Sequence, residues 1–192
     1  MEFVKDTTWN EIFEGWRARE ANNQSWVKYA TETKGWPDWA SWRNFMAEQV
    51  SAEKREWKIF RFTDPDKEIP GLLIGPHSGW QGDLPLKNSL SFKELLEIPE
   101  KFKGYTQHTG IQAIIDGLPF PAQLIGLLRE DCGRIVCFEG NHTALAIALA
   151  NKQAKHIDWS GVDINIAVAV VPSEEHALFD TVLARGTAKN PT

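Results

Sequence analysis

Apolar side chains in the first fifty residues recur three or four positions apart, which is the spacing of one face of an α-helix. Thr8 and Glu11 form a capping box at the start of one apolar stripe, and Pro37 and Asp38 suit the start of another. The sequence therefore predicts a helical first region, with a short additional helix over 25–33. The two main stripes consist of Trp9, Ile12, Phe13 and Trp16, and of Trp39, Trp42, Met46 and Val50.

The pattern changes after residue 56, where short apolar runs separated by turns alternate with further helical stripes. The predicted strands cover 56–62, 123–128, 134–138 and 163–171. The predicted helices cover 91–98, 109–116, 142–151 and 173–185. This mixture predicts an α+β fold, in which a Trp-rich helical region (1–56) packs on the core of a mixed-sheet α+β domain (57–186) that is followed by a loose tail (187–192).

Charge and cysteine content narrow the classes of function. The chain has 26 acidic and 21 basic residues, a net charge of −5, and no basic block, so we do not expect a nucleic-acid-binding face. Cys132 and Cys137 supply neither a disulfide scaffold nor a structural zinc site. The N-terminus has no apolar signal-peptide core, and the longest apolar run, 144–150, is too short for a bilayer. We therefore expect a cytoplasmic protein without membrane contact.

The segment CFEGNHTALAIALA, residues 137–150, joins a polar turn to a run of Ala, Leu and Ile. A strand, then Gly140, then a helix would leave the first backbone N–H groups of the helix unpaired at the turn, where the helix dipole favours an anion. We predict that this turn lies on the surface of a cleft and binds phosphate, with donors from His142 and Thr143. The same residues also have simpler interpretations, with Asn141 as a helix cap and His142 as a buried histidine bonded to a carbonyl.

The segment GRIVCFEGNHTALAIALA resembles the strand-to-helix segment of the ParB/sulfiredoxin-like superfamily, whose motif is an acidic residue, Gly, His, His, Arg, two further residues and Ala. The strand pair and turn over 119–136 also have the layout of that family. The positions that match the motif are Glu139 and Gly140 for the acidic–Gly pair, Asn141 and His142 for the two His, and Ala146 for the small residue.

The resemblance implies a mixed-sheet α+β fold that binds nucleotide phosphates at this turn, because members bind CTP or use ATP or ADP. We therefore expect a small phosphorylated ligand, namely ATP, ADP or CTP with or without Mg²⁺. The chain departs from the family at Thr143, which replaces a phosphate-binding Arg and lacks its charge and forked donors. Sulfiredoxin's catalytic Cys aligns with Asn141, and Cys137 lies upstream on the strand, so we do not expect reductase chemistry.

Each residue of the turn, 139–143, has an expected role. Gly140 and Asn141 form a backbone cradle, and His142 and Thr143 are side-chain ligands. Glu139 either orients His142 or holds Mg²⁺, and these two residues are the candidate catalytic pair for phosphoryl transfer. No dedicated metal site made of protein ligands is predicted.

Two further histidines lie outside the motif. His108 precedes a predicted helix among polar neighbours, so it either joins the ligand site across a cleft or caps its own helix. His77 lies in a Gly-rich loop, 75–80, which is either a lid over a ligand or a long connection.

Three hypotheses of function follow. The first is a nucleotide- or phosphate-binding protein, or a small-molecule phosphotransferase, with its site at 139–143. The second is a degenerate, non-catalytic relative whose Trp-rich region binds a protein partner. The third is a DNA-binding or nuclease-related protein, which the acidic balance disfavours. Exposure of the Trp stripe separates the first two, because a partner surface would show a large exposed aromatic patch.

Overall fold

The computed structural model describes residues 1–190, and the chain adopts an α+β architecture built on one mixed sheet of five strands. The strands are β1 (Glu2–Thr7), β2 (Trp57–Arg61), β3 (Ala122–Arg129), β4 (Arg134–Glu139) and β5 (Ile164–Val171). Their order across the sheet is β1-β2-β5-β3-β4. β3 and β5 run parallel, whereas the other neighbouring pairs are antiparallel.

The helices surround this sheet. They are α1 (Trp9–Glu20), α2 (Gln24–Lys28), α3 (Trp39–Gln49), α4 (Pro65–Glu68), α5 (Ser78–Gln81), α6 (Phe92–Leu96), α7 (Pro99–Thr106), α8 (Thr109–Gly117), α9 (Asn141–Lys152) and α10 (Leu178–Arg185). A π-helical turn, Tyr29–Thr33, extends α2, and short 3-10 helices cover Ala52–Lys54, Ile69–Gly71 and Ser173–Glu175. The antiparallel strand β4 brings the chain back to the edge of the sheet where β3 begins, and α9 lies in the connection from β4 to β5.

Successive side chains of the central strands enter two separate cores, as the twofold period of a strand requires. Leu124 and Ile166 face a core that is filled by α9 and by α6 and α8. Ile125 and Ala167, each the next residue along, face the core that contains α1 and α3. The sheet is therefore covered on both faces.

The Trp-rich layer is internal. Trp9, Trp16, Trp39 and Trp42 retain 1–6% of their surface, and they contact one another and the sheet. Trp57 at the start of β2 completes this layer and lies 5.3 Å from Trp9 between ring centroids. The stripe therefore presents no large exposed aromatic patch to a partner.

The first region is not wholly helical, because β1 forms the edge of the sheet by pairing with β2. The side chains of β1 are exposed along almost its whole length. Hydrophobic periodicity therefore gives no signal there, and the strand depends on backbone hydrogen bonds to its neighbour.

Two helix boundaries also differ from the sequence prediction. Pro99 begins a separate helix, α7, since its ring suits the first helical position. Ser173 starts only a 3-10 turn, and the last α-helix begins at Leu178.

The described part of the tail, 187–190, contacts the first region. At its start, the Thr187 carbonyl accepts a hydrogen bond from the Trp36 indole at 2.9 Å, and the Lys189 N–H donates to the Lys34 carbonyl. Pro191 and Thr192, the end of the predicted loose tail, lie outside the described residues.

Candidate functional site

The turn between β4 and α9 has the predicted form of strand, glycine and helix. β4 ends at Glu139, Gly140 has a φ of +94°, and α9 begins at Asn141. A Cβ on Gly140 would lie 2.8 Å from Cγ of Leu124, so both the backbone conformation and the packing require glycine. The prediction of this local structure is confirmed.

The simpler interpretation of Asn141 as the helix cap is wrong, because Gly140 occupies the cap position. The Asn141 side chain is instead buried, where its Oδ1 accepts from the Gly75 N–H at 2.9 Å and its Nδ2 donates to the Cys137 carbonyl at 3.0 Å. A Cβ on Gly75 would lie only 2.5 Å from that carbonyl. Asn141 thus fastens the Gly-rich loop to the end of β4.

A cavity of about 310 Å³ opens beside this turn. Its aromatic walls are Trp26, Tyr29, Trp42 and Trp80. Among its polar residues are Lys34, Arg43, His77, Glu139, Asn141 and His142. Binding pockets for small molecules commonly combine mostly apolar walls with a few polar groups, and this volume lies near the lower end of their usual range of about 300–1,000 Å³. The cavity lies between the Trp-rich layer and the first turn of α9.

Arg43 on α3 is the most buried charge of the site and is 2% exposed. Its guanidinium carbon lies 3.9 Å from the Trp42 ring centre and 4.4 Å from that of Trp16. Nη2 donates to Oε2 of Glu20 at 2.7 Å, and Nη1 donates to Oε2 of Glu139 at 3.2 Å. Arg43 therefore stacks between two indoles and links two carboxylates.

The carboxylates around Arg43 are balanced by a second arginine. Burial, followed by the charge of Glu139, raises the pKa of Glu20, whereas Arg43 opposes this rise. Burial lowers the pKa of Arg19, and Glu20 and Glu139 both counteract that effect. Two arginines and two glutamates thus share this part of the protein, and their formal charges cancel.

Lys34 on the cavity wall adds a further positive charge. Its Nζ lies 5.3 Å from the centre of the Tyr29 ring. Within residues 1–190, no carboxylate oxygen lies within 4.0 Å of it. Lys34 therefore remains available to neutralise an anion.

His77, which lines the cavity directly before α5, has a defined tautomer. Its Nε2 lies 3.0 Å from the Phe138 carbonyl, which can only accept, so Nε2 carries the proton. Burial, reinforced by the charges of Arg43 and Lys34, lowers the pKa of His77 to about 4 despite that hydrogen bond. The ring is neutral at pH 7, and its buried Nδ1 has no partner among the described residues.

His142 lines the cavity from the first turn of α9. Its ring meets Trp80 edge-on at 4.9 Å between centroids, while part of the residue remains exposed. Burial of the imidazole lowers the pKa of His142, and the charge of His108 adds to this effect. His142 is thus a predominantly neutral hydrogen-bonding group at neutral pH.

The other predicted site residues are placed differently. His108 caps α8 by accepting from the Ile111 N–H at 3.2 Å, and it is not part of the cavity wall that residues 1–190 form. It is close enough to influence the pKa of His142. Thr143 is half-buried on the first turn of α9 and also lies off that wall. Their assignment to the ligand site stays a prediction.

Glu139 does not orient His142 through a hydrogen bond in the part of the chain that the structure describes. Its carboxylate accepts instead from Arg43, 96 residues away in the sequence. Burial, together with Glu139, raises the pKa of the Cys137 thiol well above its ordinary value, so this sulfur is a poor nucleophile. Among residues 1–190 no group of three His, Cys, Asp or Glu side chains is arranged to hold a metal ion.

Sequence reasoning missed the part of the site that comes from the first region, namely Glu20, Trp26, Lys34 and Arg43. One signal was present, because Arg43 lies one turn after Trp39 and one turn before Met46, on the buried stripe of α3. A charged residue on such a stripe indicates a buried ion pair. The identity of its partners could not be read from the sequence.

Comparison of the chain with protein-family models, with curated proteins and with solved structures yields no significant match. In residues 1–190, none of the helices combines the length and apolar character needed to cross a membrane.

Proposed function

We propose that this chain binds a small phosphorylated molecule, such as ATP, ADP or CTP, in the cavity at the start of α9. The observation that carries this proposal is the convergence of the α9 N-terminus, Lys34 and His142 on one aromatic-walled cavity. The helix end favours negative charge, and Lys34 adds a cation without a carboxylate partner among the described residues. The aromatic side chains of the cavity walls can pack against the base of a nucleotide.

Electrostatics favour an anionic ligand over a cationic one. The carboxylates of Glu20 and Glu139 are bound to Arg43 and further compensated by Arg19, so they add little net negative charge to the cavity. Lys34 and the helix end then leave an excess of positive potential. Glu139 acts in this proposal as the residue that fixes Arg43.

We also propose that the fold is of the ParB/sulfiredoxin-like type. The segment that carries the resemblance, residues 133–150, contributes Glu139, Asn141 and His142 to the cavity wall, which supports this assignment. The mixed sheet and the hairpin of β3 and β4 before the turn are in keeping with this assignment. Burial of the Trp stripe favours this ligand-binding hypothesis over a Trp-based partner surface.

Thermal unfolding in the presence of ATP, ADP, CTP, GTP or inorganic phosphate, with and without Mg²⁺, tests the proposed function. A ligand at about one hundred times its Kd should stabilise the protein by about 2.7 kcal/mol. In a domain of this size that corresponds to a rise in Tm of roughly 5–10 °C.

The rise in Tm should shrink in Lys34→Gln and His142→Ala. It should persist in Lys155→Gln, which removes an exposed lysine that follows the far end of α9. The proposal is overturned if no nucleotide and no phosphate changes Tm. It is also overturned if Lys34→Gln and His142→Ala respond as strongly as wild type.

A further inference from the structure

Three buried polar atoms of residues that line the cavity have no hydrogen-bond partner among the described residues. They are Nδ1 of His77, Nε of Arg43 and Nε1 of Trp42. A buried polar atom without a partner is unfavourable, and proteins satisfy nearly all such atoms. All three residues line the same cavity, which favours a ligand with complementary donors and acceptors.

His77 differs from the other two because it needs a donor. The Phe138 carbonyl takes the Nε2 proton at 3.0 Å, which leaves a lone pair on Nδ1. The charged groups that act on His77 from other elements are Arg43 and Lys34, and both disfavour a second proton on its ring. Nδ1 is thus fixed as an acceptor over the whole neutral pH range.

The walls restrict the ligand group that reaches His77. Trp26 and Trp80 both lie against His142, with ring centroids 6.2 Å and 4.9 Å away, and Tyr29 packs on Trp42 at 5.4 Å. Aromatic walls favour a flat ring. A flat ring that donates to an acceptor at its edge carries an N–H group there.

We infer that the ligand carries a heteroaromatic base with an exocyclic amino group, as in adenine or cytosine, and that His77 Nδ1 accepts a hydrogen bond from this group. This inference rests on the proposed function, since the phosphate of the same ligand occupies the start of α9. The N–H groups of Arg43 and Trp42 then meet ring nitrogen or carbonyl acceptors. His77 is accordingly the residue that determines base specificity.

Matched ligands that differ only in the amino group test this assignment. Calorimetric titration at pH 7.5 compares ADP with purine riboside 5′-diphosphate, and CDP with its 4-deamino analogue. Wild type should bind the amino-bearing member of at least one pair about tenfold more tightly, because the analogue leaves Nδ1 unpaired. Equal binding within both pairs would overturn the inference.

The variant His77→Gln isolates the acceptor. A glutamine amide can still donate to the Phe138 carbonyl from the position of Nε2, but it places no acceptor at the position of Nδ1. The tenfold preference should disappear in His77→Gln and remain in His156→Gln, which changes an exposed histidine. A preference that survives in His77→Gln would contradict the role of His77.

Inorganic phosphate separates the two proposals. If phosphate raises Tm in a Lys34-dependent manner while the amino group has no effect, the base assignment is wrong and the phosphate site stands. If no phosphorylated ligand binds, both are wrong. The comparison of matched ligands on wild type alone tests the base assignment, so this test does not depend on the folding of His77→Gln.

Discussion

The two faces of the sheet are covered by layers of different chemistry. The α9 layer is dominated by aliphatic side chains, and Ala144, Ala146, Ala148 and Ala150 keep 0–3% of their surface. The opposite layer is aromatic and encloses Arg43 with Glu20 against four Trp rings. The α9 layer is held mainly by apolar packing, whereas the aromatic layer also contains a buried charge that must be paired.

Because the two layers differ in chemistry, we expect them to differ in how they contribute to stability and to ligand binding. Small side chains let α9 lie close to the sheet, which brings its N-terminus to the edge of the Trp-rich layer. The charged cluster in that layer then shapes the wall that faces the helix end. The cavity exists where the two layers meet, so substitutions deep in each layer should have different consequences.

The largest expected effect comes from removing the charge at the centre of the aromatic layer. Arg43→Met leaves Glu20 and Glu139 without their shared cation while the side chains remain 15% and 19% exposed. Breaking a buried ion pair on one side costs about 3–5 kcal/mol, and we expect about 4 kcal/mol in urea unfolding.

Arg61→Met is the matched control, because Arg61 pairs with Glu2 and Asp163 at 44% exposure. An exposed pair contributes at most about 1 kcal/mol. Adding Glu20→Gln to Arg43→Met should recover part of the loss. Equal losses in Arg43→Met and Arg61→Met would show that the cluster is not a stabilising element.

A substitution in the aliphatic layer should lower the free energy of unfolding but leave ligand binding unchanged. Leu145→Ala empties a fully buried position on α9 and should reduce the free energy of unfolding by about 3 kcal/mol. Below the unfolding transition, the Kd for inorganic phosphate or ADP should stay within about twofold of wild type, since Leu145 lies off the cavity wall. A tenfold weaker Kd would indicate that the two layers are coupled. Leu86→Ala, at an exposed position, serves as the control for stability.

Lowering the pH should reduce the free energy of unfolding through His77, which is neutral in the folded protein and lies beside the aromatic layer. Its pKa is about 4 in the folded protein against 6.5 as the ordinary value, so the unfolded chain takes up a proton first. The stability contributed by neutral His77 is therefore present above pH 6.5 and is lost as the pH falls towards 4. From pH 7 to pH 5 this loss amounts to about 2 kcal/mol.

The measurement is the difference in unfolding free energy between wild type and His77→Gln at each pH. This difference cancels the opposite contribution of Glu20, whose raised pKa favours the folded state in acid. A difference that does not change between pH 7 and pH 5 would mean that His77 already titrates normally in the folded protein.

The smallest effect is expected for a substitution at the place where the two layers meet. Thr143→Arg adds a cation on the first turn of α9 and should tighten the Kd for ADP or inorganic phosphate about tenfold. Thr181→Arg adds the same charge at an exposed position of α10 and should leave the Kd nearly unchanged. If both variants, or neither, bind more tightly, the alignment of Thr143 with the family's Arg is wrong.

Helix starts and the glycine turn could largely be predicted from residues that lie close together in the sequence. The capping box predicted at Thr8 and Glu11 forms on one side only, through the Glu11 N–H and the Thr8 hydroxyl, and the Gly140 turn appears where the pattern changes. The edge strand β1 was not predicted, because its exposed side chains carry no hydrophobic period. The sequence suggests a cap at Asn141 and cannot show its actual partner, the Gly75 N–H, which is 66 positions away.

By itself the sequence determined the α+β mixture, the strand–glycine–helix turn and the burial of the Trp stripe, because each depends on residues within a few positions of one another. Only the tertiary structure decided which groups meet at the cavity. Arg43 reaches Glu139 across 96 positions, and His77 reaches Phe138 across 61. Such pairings follow from the order of strands in the sheet and from the side on which each helix packs, and neither leaves a local pattern in the chain.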